Sequence, residues 1–412
     1  MTVSRRDFLK KSLVFVPAAA VAPGLLVRAA SAAPGGSARN LVLIELDGGN
    51  DGMNTLVPHG LNGGAYYTEF RPTLNIPVGQ VLDIGGGLGL NPGMAALKAQ
   101  FDAGRLAVLP GIGYPNPSFS HDVSADIWAT GDPTLGELDG WLGRMLAQFP
   151  QPSFPCALDV SGHLDRILVG SGGFVPAFSS IGHFNFPYDG HAWNDKDNRR
   201  VAYEAAVDGL HGSGGRVGAM SGTAKGMLQL IDTLQAVPEF THVGDYPETY
   251  WSNSLRLIAR LSNAGLGLRI FHVPYGGFDT HGDQELDGYH TTKLQIVSDG
   301  IQALLDDLAS VGQANDTIFV IYSEFGRTIY ENGSAGTDHG STSVVFVVGP
   351  QVNGGVVTSH PPVDPTQLDA DDELQRTADF RDVFGTIASR WYGANVTSLF
   401  PGHTVTDLGF LP

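Results

Sequence analysis

Three apolar segments of this chain each deliver an acidic residue into a glycine-rich loop, and few folds accommodate that pattern. In residues 317–327, TIFVIYSEFGR, the unbroken apolar run Ile318, Phe319, Val320 and Ile321 stops on Ser323-Glu324-Phe325-Gly326-Arg327. Residues 41–47, LVLIELD, run into Gly48-Gly49-Asn50-Asp51-Gly52, and residues 268–274, LRIFHVP, run into Gly276-Gly277-Phe278-Asp279-Thr280-His281-Gly282. A fourth apolar strand at 342–348 is preceded by Asp338-His339-Gly340. Buried strands that end abruptly in polar chemistry place that chemistry at the carboxyl edge of a sheet, where open α/β sheets bind their ligands.

Helical patterns alternate with these strands. The segment 246–264 puts Leu255, Ile258, Ala259 and Leu261 on one face, and 293–308 does the same with Leu294, Val297, Ile301, Leu304, Leu305 and Leu308. Further helices are expected at 91–103, with Asn91 as N-cap and Pro92 at the first helical position, at 121–129, at 141–149 and at 379–392. A short strand is expected at 106–109 and weaker ones at 157–160 and 167–169. Residues 161–243 read as an insertion or cap, helical at 199–208 and 218–235. The predicted fold class is therefore α/β, a mostly parallel central sheet with helices on both faces, in one domain over 40–412.

The N-terminus carries an address. Ser4-Arg5-Arg6-Asp7-Phe8-Leu9-Lys10 matches the twin-arginine export motif S-R-R-x-F-L-K at every fixed position. The apolar stretch at 12–27 is interrupted by Pro17 and Pro23, which makes it a poor membrane span, and Ala30-Ser31-Ala32 offers small residues for cleavage after Ala32. Residues 1–32 are expected to be a signal peptide and 33–39 a spacer. The protein is then exported folded, with the twin-arginine translocase as a partner during export, to the periplasm or beyond, and with no stable membrane span in its mature form. A net charge of −18 argues against nucleic acid or an anionic membrane surface as the main partner. The single Cys156 excludes an intrachain disulfide and a multi-cysteine zinc site.

The chemistry-bearing residues are Asp47, Asp279 and Glu324 at three strand ends, with His281 two residues beyond Asp279 and His339 in another connecting loop. Carboxylates with one or two imidazoles suit Zn²⁺, Mn²⁺, Mg²⁺ or Ca²⁺. Taken singly, each acid reads first as a loop cap that accepts backbone N–H groups; the three together with two histidines point to a shared site. Ser120 stands directly before His121-Asp122 at a helix start, in a positive field that suits a nucleophile forming a phospho- or sulfo-intermediate, or simply an N-cap. Ser118 competes for the same role. Arg327 either clamps an oxyanion or pairs with a carboxylate. His59, His163, His183, His191, His211, His242, His272, His290, His360 and His403 show no metal-ligand spacing, and the acidic run 369–373 reads as a solvated loop. There is no phosphate-binding G-x-x-x-x-G-K-[ST] loop, no G-x-S-x-G elbow and no motif for an oxidoreductase cofactor.

At these residues the chain resembles domain-of-unknown-function family 1501. The matching elements are LVLIELDGGNDGMNTLVP at 41–58, SFSHDVSADIW at 118–128, GGFDTHGDQ at 276–284, IYSEFGRT at 321–328 and TDHG at 337–340. That family is similar to the alkaline phosphatase/sulfatase superfamily. The resemblance implies a metal-centred site at the carboxyl edge of the sheet. Asp47 would be the first-strand ligand and Ser120 the nucleophile; Asp279 and His281 would be a later metal pair, with Glu324 and His339 completing the set. It also implies a metal-dependent hydrolase of phosphate or sulfate esters, acting on a small molecule or glycan. This chain departs from the superfamily pattern in having Asp279-Thr280-His281 and Glu324-Phe325 where well-studied phosphatases have Asp-x-x-x-His and Asp-His. That departure keeps open a non-catalytic periplasmic or cell-surface binding or assembly protein.

Overall fold

The computed structural model describes residues 39–60, 64–149, 155–171, 173–186, 196–210, 213 and 215–412. The expected signal peptide, and all of the expected spacer but Arg39, lie outside the described residues.

The strands in chain order are β1 (Asn40–Asp47), β2 (Leu56–Val57), β3 (Leu82–Gly85), β4 (Leu88–Leu90), β5 (Leu106–Gly113), β6 (Ala157–Asp159), β7 (Ile270–Gly276), β8 (Thr317–Tyr322), β9 (Gly326–Glu331), β10 (Thr337–Gly340), β11 (Ser343–Val348), β12 (Gly355–Val356) and β13 (Ala378–Asp379). Eight of them form the central sheet in the order β12-β5-β11-β8-β1-β7-β6, with β13 also on β5. β1 lies between β7 and β8, parallel to both, and β6 is parallel to β7. Only β11 runs against its neighbours β8 and β5. The sheet is thus mixed and mostly parallel, as the strand–helix alternation predicts. β2, β4 and β3 make a small antiparallel sheet, and β9 and β10 an antiparallel pair.

Alternation along β1 explains why both faces need cover. Val42, Ile44 and Leu46 point into a core built with the helices Ala95–Asp102, Tyr250–Asn263 and Tyr289–Ser310. Leu41 and Leu43 point into a second core with His121–Thr130, Trp141–Leu146 and Phe380–Thr386. Side chains of a strand alternate in direction, so a strand that is apolar at every position is buried on both sides. Within the expected insertion, Leu230, Leu234 and Val237 join the first core, so its helix Gly215–Gln235 is built into that face of the sheet. No helix among the described residues is long and apolar enough to cross a membrane.

Several local expectations are corrected. The helix expected from Asn91 starts at Ala95, because Asn91 turns its side chain to Gly93 N and Asn54 O and closes a turn ahead of the helix. Residues 167–169 are no strand; Arg166–Leu168 is a short 3₁₀ turn capped by Asp165. The last helix ends at Thr386 and passes into a π-turn at Ile387–Trp391. His339 lies on β10 rather than in a loop.

Nor is the acidic run at 369–373 fully solvated. Glu373 is buried and its Oε2 accepts from Ser341 N at 3.3 Å. Burial, reinforced by Asp369, Asp371 and Asp372, pushes its carboxyl up to about 8. Between the ordinary value of 4.5 and about 8, the folded chain keeps a proton that the unfolded chain has lost. Stability should therefore fall as pH rises through that window. Thermal melts of Glu373→Gln are expected to show a flatter pH profile there than the wild type and a higher melting temperature above it. An unchanged profile would remove Glu373 as the cause.

Candidate metal-binding site

The site forms where the loops after β1, β7 and β8 meet the start of the helix His121–Thr130. Gly48 and Gly49 follow β1 with φ of +119° and +72°, and a Cβ on Gly48 would lie 2.3 Å from Asp279 N. Glycine is required there because the β1 loop and the Asp279 loop touch backbone to backbone. On Gly49 a Cβ would strike the Phe325 ring. That ring packs beside the imidazoles of His121 and His339, at 4.8 and 4.6 Å between centroids.

Arg327 stitches these loops together. Its buried guanidinium donates to the carbonyls of Gly48, Gly49, Phe278 and Thr337, and to Asp279 Oδ1 at 2.7 Å. Of the two roles open to it from sequence, the structure has it paired with a carboxylate and committed to backbone carbonyls, not turned outward to clamp an oxyanion. Burial pushes the Asp279 carboxyl up, but Arg327 and the neighbouring imidazoles outweigh it and hold it below its ordinary range.

Around Asp279 stand three histidines. His121 Nε2, His281 Nε2 and His339 Nε2 lie 3.5, 3.2 and 3.5 Å from its Oδ1. Each is held from behind through its other ring nitrogen: His121 Nδ1 by Glu324 Oε1 at 2.7 Å, His281 Nδ1 by Asp338 Oδ1 at 3.0 Å, and His339 Nδ1 by Phe119 O at 2.6 Å. An oxygen acceptor facing Nδ1 places the proton there and leaves Nε2 with its lone pair. The three lone pairs therefore converge. His281 Nε2 and His339 Nε2 are only 2.8 Å apart, and His121 Nε2 is buried without any hydrogen bond. Burial first, and then the Arg327 charge, hold His339 below its ordinary value and favour the neutral ring. Converging lone pairs repel one another unless a cation sits among them, and metal-bound histidines characteristically anchor their second nitrogen on a carboxylate or carbonyl. His121, Asp279 and His339 offer ligand atoms all within 4.8 Å of one another. The residues fit a divalent ion with nitrogen and oxygen ligands.

The structure thus brings together Asp279, His281, His339, Glu324 and Arg327, but in unequal roles. Glu324 is buried and acts through His121; its oxygens also accept from Gly48 N at 3.0 Å and Ser323 Oγ at 2.8 Å. Asp47 is at the rim, exposed, with burial first and then the Glu324 charge pushing its carboxyl up. Ser120 lies in the chain between Phe119, whose carbonyl holds His339, and His121, and its hydroxyl makes no helix-capping bond. Ser118 Oγ accepts from Ser120 N at 3.3 Å. Sequence reasoning passed over His121. Its signal was present, a histidine at the first position of a helix that follows a turn-rich loop, but it was read only as the neighbour of Ser120.

No curated protein sequence matches the chain. Among solved structures, it is similar to a sulfatase from Pseudoalteromonas sp. at 11% identity and a TM-score of 0.41, over 97% of this chain and 80% of that one. It is similar also to a phosphonate monoester hydrolase of Agrobacterium radiobacter at 12% identity and a TM-score of 0.36, over 87% of this chain and 74% of that one. The profile of the family described as "Protein of unknown function (DUF1501)" matches residues 111–404, which hold every member of the cluster built here around Asp279. This chain is a member of the DUF1501 family.

Proposed function

We propose that the protein is an exported, metal-dependent hydrolase of phosphate or sulfate esters. The observation that carries this reading is the convergence of three Nδ1-anchored histidines on Asp279 at the carboxyl edge of the sheet. His121, His281, His339 and Asp279 would hold the ion, with Glu324, Asp338 and the Phe119 carbonyl orienting the rings. Bound there, a Zn²⁺ or Mn²⁺ ion supplies Lewis acidity toward a phosphoryl or sulfuryl oxygen. The chain's own contribution is positional. Arg327 fixes Asp279, Glu324 fixes His121, and the start of the helix His121–Thr130 keeps Ser120 beside the cluster. In that place the Ser120 hydroxyl is the candidate nucleophile, with Ser118 two residues away as the substitute.

The test pairs metal analysis with hydrolysis of aryl phosphate and aryl sulfate esters. The wild type should carry metal and turn over one of these classes, while Ser120→Ala should keep the metal and lose turnover by more than about 100-fold, the scale expected for an acyl- or phosphoryl-accepting group. A fully metallated protein that hydrolyses neither class, and instead retains an exported partner, would replace this reading with that of a binding component. The absence of any described side chain hydrogen-bonded to the Ser120 hydroxyl is the observation that favours the second reading.

A further inference from the structure

A second cluster lies on the same face of β1, two residues before Asp47. His272 on β7 is 1% exposed. Its Nδ1 meets Asp159 Oδ2 at 3.0 Å and its Nε2 meets Glu45 Oε2 at 3.2 Å. Asp159, at the end of β6, is fully buried and already accepts from Ser161 N, Ser161 Oγ and Asp165 N. It plays the part for His272 that Glu324 plays for His121: a carboxylate behind Nδ1 that turns Nε2 forward. Asp165 supplies the third arm. Its Oδ1 accepts from Ile167 N at 2.7 Å, and Glu45, Asp165 and His272 offer ligand atoms all within 4.8 Å of one another.

Charge makes this grouping unusual. Among the described residues no lysine or arginine pairs with Glu45, Asp159 or Asp165; His272 is their sole cationic partner. Three carboxylates around one imidazole leave negative charge uncompensated even when the ring is protonated, and uncompensated charge is costly to bury. Tyr322 on β8 pairs with Glu45 in the β1–β8 ladder and is 2% exposed. Burial first, and then the charges of Glu45, Asp165, Glu324 and Asp159, push its phenol well up.

We propose that Glu45, Asp165 and His272 form a second divalent-cation site, distinct from the one around Asp279. Its one nitrogen and two carboxylate ligands suit Mn²⁺ or Zn²⁺. Asp159 is the positioning residue behind His272. This site does not depend on the ester-hydrolase reading.

The experiment strips the full-length folded protein with a chelator and titrates it with MnCl₂, counting bound ions by electron paramagnetic resonance. Two Mn²⁺ per chain are expected in the wild type and one in Asp165→Asn, which keeps the Oδ1 acceptor for Ile167 N and so the fold. One is likewise expected in His121→Ala, where the ion that survives is the second. Glu45→Gln, with circular dichroism as a check on folding, should reproduce the Asp165→Asn result with at least a tenfold weaker second ion. A wild type that binds one ion, unchanged in both Asp165→Asn and Glu45→Gln, overturns the proposal and leaves His272 as a shared imidazolium. One ion that is lost in Asp165→Asn but kept in His121→Ala upholds this site and overturns the first.

Discussion

His121→Ala is expected to weaken metal binding at the Asp279 cluster by more than about 100-fold, a larger effect than the 10–100-fold typical of losing an outer partner of a ligand. The reason is geometric. His121 contributes the buried Nε2 that has no hydrogen bond, and it links Glu324 at one ring nitrogen to Asp279 at the other. Removing it would delete a proposed ligand and release the buried Glu324 carboxylate from its one imidazole partner among the described residues. Elemental analysis after dialysis against metal-free buffer checks the loss. Glu324→Gln supplies the comparison, since an amide can still accept from His121 Nδ1–H; its loss should fall in the smaller range. Equal metal content in His121→Ala and wild type would remove His121 from the site.

Arg327→Met should be the most destabilising change in the site. The guanidinium is the shared donor for four backbone carbonyls, from the loops after β1 and β7 and from the start of β10, and for Asp279. Asp279 is half exposed and keeps its imidazole neighbours, so the cost lies in the carbonyls left without their buried donor, about 1–3 kcal/mol for an unsatisfied buried group. An unfolding free energy lowered by that amount in urea titrations, together with loss of metal, is the expected result. Arg327→Lys should not rescue it, since a single ammonium cannot reproduce a planar fork of donors. A midpoint close to wild type in Arg327→Met would show that the loops are held by something else.

The sheet was readable because β1, β7 and β8 are apolar at almost every position, and burial on both faces leaves that mark in a sequence. The acids at their ends were readable for the same reason: Asp279 and Glu324 break an apolar run. What the sequence does not display is direction and rank. Glu324 and Asp279 look alike in the chain, yet one lies buried behind His121 and the other meets three imidazoles. The β9–β10 pair was missed because TDHG has neither length nor alternation; in it Arg327 and His339 sit opposite each other in register. His272 was passed over because its partners Glu45, Asp159 and Asp165 come from two segments more than 100 residues away from it in the chain, and no spacing records that meeting.

The reversed direction of β11 has a consequence for how this site could vary. β8 ends at the carboxyl edge of the sheet, and β11, running the other way, begins at that same edge. The chain between them, residues 323–342, never has to cross to the far side. The whole segment, including Arg327, Asp338 and His339, stays above one rim and turns back at the exposed tip around Gly333. Residues added at that tip would alter the mouth of the candidate site without rethreading a strand or shifting a register. The antiparallel β11 thus lets the rim of the candidate site be lengthened from one side while the sheet beneath it keeps its order.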